Sequence, residues 1–241
     1  FTALYLITKE KYYLEKAQTI WRFLQSGTDD LLNGGIYWVE QNKSSKNACS
    51  NAPASVFALK LYECTNDIAY LNQAILLYEW TKSHLQDKED KLIFDNIKLS
   101  GTVDSTKYAY NSGQMIQAAS ILYRLTSNEL YLQEAKEIAK SAYNFFFYID
   151  NMQERQRILK NTDIWFIAVM LRGYIELYHQ DKNTEYLISF KQNLDFAWEH
   201  MRDKKGLFHT DWTGSKKDEK KWLLTQAGMV EMYARLSFFI N

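Results

Sequence analysis

Proline is almost missing from this sequence: there is 1 among 241 residues, beside 9 glycines and 2 cysteines. Glycine and proline together make up about 4% of the chain, against roughly 12% in an average protein. That scarcity excludes a turn-rich β-sandwich or β-propeller and points to long helices. Cys49 and Cys64 are too few for a disulfide framework, and neither their spacing nor their neighbours suggest a metal site. An excess of charge is lacking as well, since 29 basic and 29 acidic side chains cancel. Charge balance removes the electrostatic reason to expect a nucleic acid or an anionic membrane as partner. No apolar stretch approaches the ~20 residues of a bilayer span, so no membrane span is expected.

Several signatures of chemistry are absent too. There is no GxGxxG, Walker loop or GxSxG. His84, His179, His200 and His209 are scattered at helix ends without paired spacing, which disfavours metal or histidine-based catalysis. No metal site is expected. An initiating Met, a basic n-region and a signal-peptide h-region are also lacking. The opening Phe1-Thr-Ala-Leu-Tyr-Leu-Ile7 reads as the second half of an amphipathic helix with no cap before it. The natural protein is therefore expected to begin well upstream, and the compartment is not legible from this terminus.

What is abundant is aromatic: 7 Trp, 17 Tyr and 13 Phe make 15% of the chain. Either the core is ring-rich or a cleft is lined with rings. The chain also repeats itself. Leu-Tyr, seven residues, then Tyr-Leu occurs at Leu4-Tyr5…Tyr13-Leu14, Leu61-Tyr62…Tyr70-Leu71, Leu122-Tyr123…Tyr131-Leu132 and Leu177-Tyr178…Tyr186-Leu187. Thr8, Thr65 and Thr126 sit in the gap of three copies, and apolar residues at three- and four-residue spacing follow each Tyr-Leu. Each unit is an αα-hairpin. The A helices are expected at about 1–8, 52–64, 112–126 and 164–179, and the B helices at about 10–26, 68–86, 129–148 and 184–202. A fifth A-type helix is expected at about 225–239.

Links inside a hairpin are short, whereas links from B to the next A run to roughly 20–30 residues and carry the unusual composition. In a ring of hairpins they gather on one face, where function is expected. A repeat of about 58 residues taken six times gives the size of a closed (α/α)6 barrel, of which this chain supplies about two-thirds. The expected class is thus all-α, with residues 1–241 as a single, N-terminally incomplete hairpin-repeat domain. A tetratricopeptide superhelix has a repeat of ~34 residues and short loops throughout, which does not fit.

Four stretches carry candidate chemistry. Asp29-Asp30 is an adjacent carboxylate pair, but it follows Gly27-Thr28 at the end of a B helix and reads as a loop. Asn51 or Ser50 is a natural N-cap for the next helix, with Pro53 in its first turn. Capping explains neither Lys46-Asn47 nor the upstream Trp38. Asn111 or Ser112 caps the following A helix, and Gly113 signals close backbone packing. Asp163 caps the helix that begins with Ile164-Trp165. Amides, hydroxyls and rings at a cleft mouth suit a sugar, which needs hydrogen-bond partners and an apolar face.

Gly34-Gly35-Ile36-Tyr37-Trp38, Lys46-Asn47-Ala48-Cys49-Ser50-Asn51 and Tyr110-Asn111-Ser112-Gly113, in this order within hairpins, resemble glycoside hydrolase family 76. These are the endo-α-1,6-mannanases and their fungal cell-wall relatives. The resemblance extends over the whole chain and implies an (α/α)6 barrel, a retaining mechanism, no cofactor, and a cleft at the N-terminal ends of the inner helices. The substrate it implies is a mannan-type oligo- or polysaccharide. The family's catalytic carboxylates are two consecutive aspartates opening an inner helix. By hairpin phase, Phe1 to Tyr5 is the tail of that helix, so the pair is expected upstream of residue 1 and no catalytic residue carries over. Trp38, Tyr110 and Trp165 are expected as ring platforms, with Lys46, Asn47, Asn51, Asn111 and Asp163 for hydroxyl recognition. The alternatives are a carbohydrate-binding protein on the same barrel, or another (α/α)6 sugar enzyme.

Overall fold

The computed structural model describes residues 1–149 and 155–239. Nine α-helices lie among the described residues: α1 Thr2–Thr8, α2 Lys11–Ser26, α3 Ala48–Thr65, α4 Ile68–Leu85, α5 Ala109–Thr126, α6 Glu129–Phe146, α7 Ile164–Asp181, α8 Glu185–His200 and α9 Leu223–Leu236. The odd-numbered helices touch one another in sequence around an arc, and the even-numbered ones lie outside them. Burial shows the same layering. α5 buries twelve of its 18 residues, while α6 buries six on one face, from Ala135 to Phe146. This is an arc of an (α/α)6 barrel with the A helices inside.

The repeated motif is the lock of each hairpin. Lys9, Asn66, Ser127 and Lys182 follow their helices in the left-handed region, at φ 61°, 56°, 57° and 58°. Each returns its N–H to the carbonyl of the motif tyrosine, Tyr5, Tyr62, Tyr123 or Tyr178. The threonine does two jobs. Thr65 Oγ1 donates to the Leu61 carbonyl at 2.8 Å and accepts from the Asp67 N–H at 3.2 Å. Thr126 does the same between Leu122 and Asn128, and Thr8 between Leu4 and Glu10. In the fourth copy the Asp181 carboxylate accepts from the Asn183 N–H instead. Carbonyls orphaned at a helix end are thereby satisfied by a few neighbouring residues.

Two inner helices meet backbone to backbone. A Cβ added at Gly113 would lie 2.4 Å from Met170 Cα, and one at Gly173 would lie 2.3 Å from the Gly113 carbonyl oxygen. Only glycine permits this crossing of α5 and α7. Toward the opposite end of the helices, Arg124 links Glu63 of α3 to Glu176 of α7, and Arg172 grips Glu231 of α9 through two bonds of 2.6 and 2.7 Å. These pairs are about a third exposed, and each contributes about 0–1 kcal/mol.

The long links hold what periodicity does not show: short antiparallel strands. β1 Ser45–Asn47, β2 Phe94–Lys98 and β3 Val103–Lys107 form one sheet in that order, and β4 Phe147–Ile149 pairs with β5 Arg157–Leu159. β1 sets Lys46 opposite Ile97 and Asn47 opposite Asn96. The helix starts differ from their expected places. α3 begins at Ala48 and α5 at Ala109, so the cap positions are Asn47 and Tyr108. Ser50, Asn51, Asn111 and Ser112 lie inside first turns and are not caps. α9 starts two residues earlier than expected and ends at Leu236.

Candidate functional site

A depression of about 520 Å³ opens where α3, α5 and α7 begin. β1 brings Ser45 and Asn47 to its wall, with Ser44 just before them, and β2 brings Asp95, Asn96 and Lys98. The first turn of α5 and the residue before it supply Tyr110 and Tyr108, and the start of α7 supplies Asp163 and Phe166. Trp38 stands on the rim, 62% exposed.

The floor is a run of stacked rings. Tyr110 is nearly parallel to Tyr108, at 5.5 Å and 7°, and to Trp165, at 5.6 Å and 11°, and packs edge to face with Phe166 at 4.4 Å. Parallel aromatic faces flanked by carboxylates and amides can carry the C–H face of a sugar while its hydroxyls are hydrogen-bonded at the sides. Burial, then the neighbouring Cys49 and Asp95, raises the Tyr110 phenol far above its usual range, so it stays a donor. Burial and then Asp95 push the Cys49 thiol up to about 11. Asp95 accepts from the Asn96 amide at 2.8 Å. Asp163 occupies the N-cap position of α7, yet its carboxylate makes no capping bond and borders the depression.

Of the residues expected at the site, Trp38, Asn47, Tyr110 and Asp163 line this depression. Four other expected residues do not line the depression. Lys46 is fully buried, and its ammonium donates to Asp29 Oδ1, the Leu31 carbonyl and the Gly34 carbonyl at 2.7, 2.7 and 2.6 Å. An ammonium has three donors, and all three are spent inside the protein. Asn51 is buried too, accepting from the Ile36 N–H at 2.6 Å and donating to the Ile36 and Asn47 carbonyls. Asn111 is 0% exposed, and neither of its amide atoms has a hydrogen-bond partner. Trp165 stacks on Tyr110 without lining the depression, whereas Phe166 lines it. Consecutive helical residues point about 100° apart, so the more conspicuous ring is not the one that faces the depression.

Asp95, Asn96, Tyr108 and Phe166 were missed as site residues; Asp95 and Asn96 lie in β2, well ahead of the α5 start. Asp29 does not line the depression. Lys46 first, then Tyr37 (whose hydroxyl donates at 2.7 Å) and the Leu31 N–H, holds its carboxyl below the ordinary range against the opposing effect of burial. Among the described residues no three His, Cys, Asp or Glu side chains are grouped as a metal ion would require. No helix among them is long and apolar enough to cross a membrane.

Comparison with known proteins bears on this geometry. A family 76 glycoside hydrolase from a bovine Bacteroides thetaiotaomicron strain superposes with a TM-score of 0.93 at 36% identity, over 100% of this chain and 54% of that one. An inactive variant of an α-1,6-mannanase of Salegentibacter sp. HEL1_6, with two consecutive aspartates replaced by alanine and α-1,6-mannotetrose bound, gives 0.85 at 28% identity, over 98% of this chain and 72% of that one. A mannan endo-1,6-α-mannosidase of Candida albicans is 25% identical over 155 residues, which is 59% of this chain and 34% of the relative. The chain therefore spans about a third of the curated relatives' length and about half to three-quarters of the solved ones. The profile of glycosyl hydrolase family 76 matches residues 2–239, and the chain belongs to that family.

Proposed function

We propose that the complete protein hydrolyses α-1,6-linked mannose polymers with retention of configuration. The observation that carries this reading is the ring-floored, carboxylate- and amide-walled depression at the starts of α3, α5 and α7. Family membership supports it, as does the α-1,6-mannotetrose bound by the Salegentibacter relative. Trp38 and Tyr110 offer apolar faces, and Asn47, Asn96, Asp95 and Asp163 offer hydroxyl partners.

Retention requires two carboxylates about 5–5.5 Å apart. One attacks the anomeric carbon while the other gives its proton to the departing glycosidic oxygen; water, deprotonated by the second group, then releases the glycosyl ester. Asp29 is engaged elsewhere, so we assign this pair to residues preceding Phe1. The helix register supports that assignment. From N-cap to C-cap, α3 (Asn47 to Asn66), α5 (Tyr108 to Ser127) and α7 (Asp163 to Lys182) each advance 19 positions. The same interval, taken back from Lys9 at the end of α1, reaches a helix start about eleven residues before Phe1, on the face where the other inner helices begin. Two aspartates there are stabilised as anions by the helix N-terminus, and their mutual repulsion keeps one protonated near neutral pH.

The test is turnover of α-1,6-mannotetraose by the complete protein, with the first-formed anomer read by proton NMR. The α anomer is expected. A β anomer would overturn retention, and binding without turnover would make the protein a carbohydrate-binding relative that has lost catalysis.

A further inference from the structure

We propose that Lys46 and Asp29 are positioning residues that hold Trp38 at the rim of the depression; the part of this concerning sugar rests on the function proposed above. The segment from Asp29 to Val39 is bent where a chain resists bending. Leu32, Asn33, Gly34 and Gly35 lie consecutively at positive φ, 55°, 59°, 104° and 81°. For Leu32 that conformation is costly, and such cost is sustained only where the surroundings over-determine it.

Here the surroundings do so from three sides. The Lys46 ammonium sits inside the bend and gathers two of its carbonyls, Leu31 and Gly34, together with the Asp29 carboxylate, while its charge faces the Tyr37 ring at 4.6 Å. Tyr37 closes the circuit through its hydroxyl to Asp29. Trp80 supports the bend from outside: its indole N–H donates to the Leu32 carbonyl at 2.8 Å, and its ring lies so close that a Cβ on Gly35 would meet it at 2.5 Å. Asn51 holds both the N–H and the carbonyl of Ile36.

Two residues beyond Ile36 stands Trp38, and its own N–H is anchored at 3.2 Å to the Ser45 carbonyl, beside Lys46. Everything before Trp38 is fastened and the indole itself is bare. It separates two depressions, the one described above and a more apolar one between α2 and α3 lined by Phe23, Pro53 and Phe57. A ring on such a ridge contributes binding only if it is held still, because an immobilised platform loses little entropy when a sugar settles on it. Burying a lysine to fold a surface loop is otherwise hard to reconcile with the desolvation of its charge. The lysine acts through the bend, and the bend acts through Trp38.

The experiment uses the complete protein labelled with 5-fluorotryptophan, in which the Trp38 line is the one lost in Trp38→Phe. Lys46→Met removes the three donors and keeps the aliphatic stem. Asp29→Asn is the milder variant and carries the test if Lys46→Met does not fold. Each is expected to shift or broaden the Trp38 line without any sugar present. Each is also expected to raise KM for α-1,6-mannotetraose about ten-fold with kcat within about two-fold. Combined with Trp38→Ala, neither should raise KM further, because both act through the same ring. The proposal is overturned if the Trp38 line is unmoved in both variants, or if the KM effects multiply with that of Trp38→Ala. Should the unaltered protein turn over no mannan, the functional reading fails while the fluorine line still decides the role of the clasp.

Discussion

Gly173→Ala tests the crossing of α5 and α7 directly. The new methyl would lie 2.3 Å from the Gly113 carbonyl oxygen and 3.1 Å from its carbon, with Ile116 Cβ at 3.2 Å. Ordinary van der Waals contact begins near 3.4 Å, so the helices must part by about 1 Å or the carbonyl must tilt. Overpacking of a filled interior costs about 1–3 kcal/mol, and contact with backbone places this case near 3. Against that, alanine is the better helix former by about 1 kcal/mol. The net expectation is a loss of about 2 kcal/mol, so the clash outweighs propensity. Gly228 provides the contrast: its added Cβ meets Trp165 Cα at 3.2 Å, a contact that needs only a few tenths of an ångström of relief. There propensity and crowding roughly cancel, within about 1 kcal/mol. Urea unfolding of the complete protein, followed by circular dichroism, measures both. Unchanged or increased stability in Gly173→Ala, or an equal loss in Gly228→Ala, would refute the close-crossing argument.

Trp38→Ala should raise KM for mannan substrates strongly while lowering thermal stability less than a core substitution, since the side chain is 62% exposed; a kinetic titration with a melting curve checks both. Asp95→Asn removes the negative charge that helps burial raise the Cys49 thiol, so the alkylation rate of Cys49 should gain its thiolate dependence at lower pH than about 11, measured in a Cys64→Ser background. Thr65→Val deletes a hydroxyl that both donates and accepts in the second hairpin lock, and should cost about 1 kcal/mol in the same urea assay. Burial and the nearby Lys221 hold His209 below its ordinary 6.5, and its ring accepts from the Asp218 N–H at 2.7 Å. The fold therefore prefers the neutral ring, and its stabilisation is complete above pH 6.5 and lost as pH falls through the lowered value. His209→Asn, whose carbonyl can accept the same bond, should flatten the stability profile in that acid window.

The hairpins were legible because their signals are local. Tyr62, Thr65 and Asn66 act on one another within one turn, so their spacing in the sequence is already their geometry. The cleft was legible only in its outline. Asn51 resembled a cap because Ser50, Asn51 and Pro53 cluster at a helix start, yet its amide is used 15 positions back at Ile36. Lys46 resembled a ligand-binding cation, and the partners that consume it lie 12 to 17 residues away across a bend with no periodicity. α3 starts at Ala48, a turn earlier than expected and directly after β1, and no local pattern in β1 or β2 announces the pairing of Lys46 with Ile97. Asn111 carried the right chemistry to recognise a hydroxyl, but its position in the first turn of α5 puts it inside the helix layer. For Asn51, for Lys46 and for the strand pairing, the deciding contact was distant in sequence.

The locality of the hairpin locks also sets an order of assembly. Each lock closes over fewer than six residues, so its loop-closure entropy is small, and a hairpin can form before its neighbours are in place. The sheet that joins β1 to β2 must instead bring together residues some fifty positions apart, and it forms once the hairpins have shortened that path. Scaffold first and cleft last is the sequence of events this implies. Substitutions in the links between hairpins then act after the commitment to fold, leaving the refolding rate nearly unchanged while speeding unfolding. A barrel assembled this way can vary what it grips without risking whether it folds.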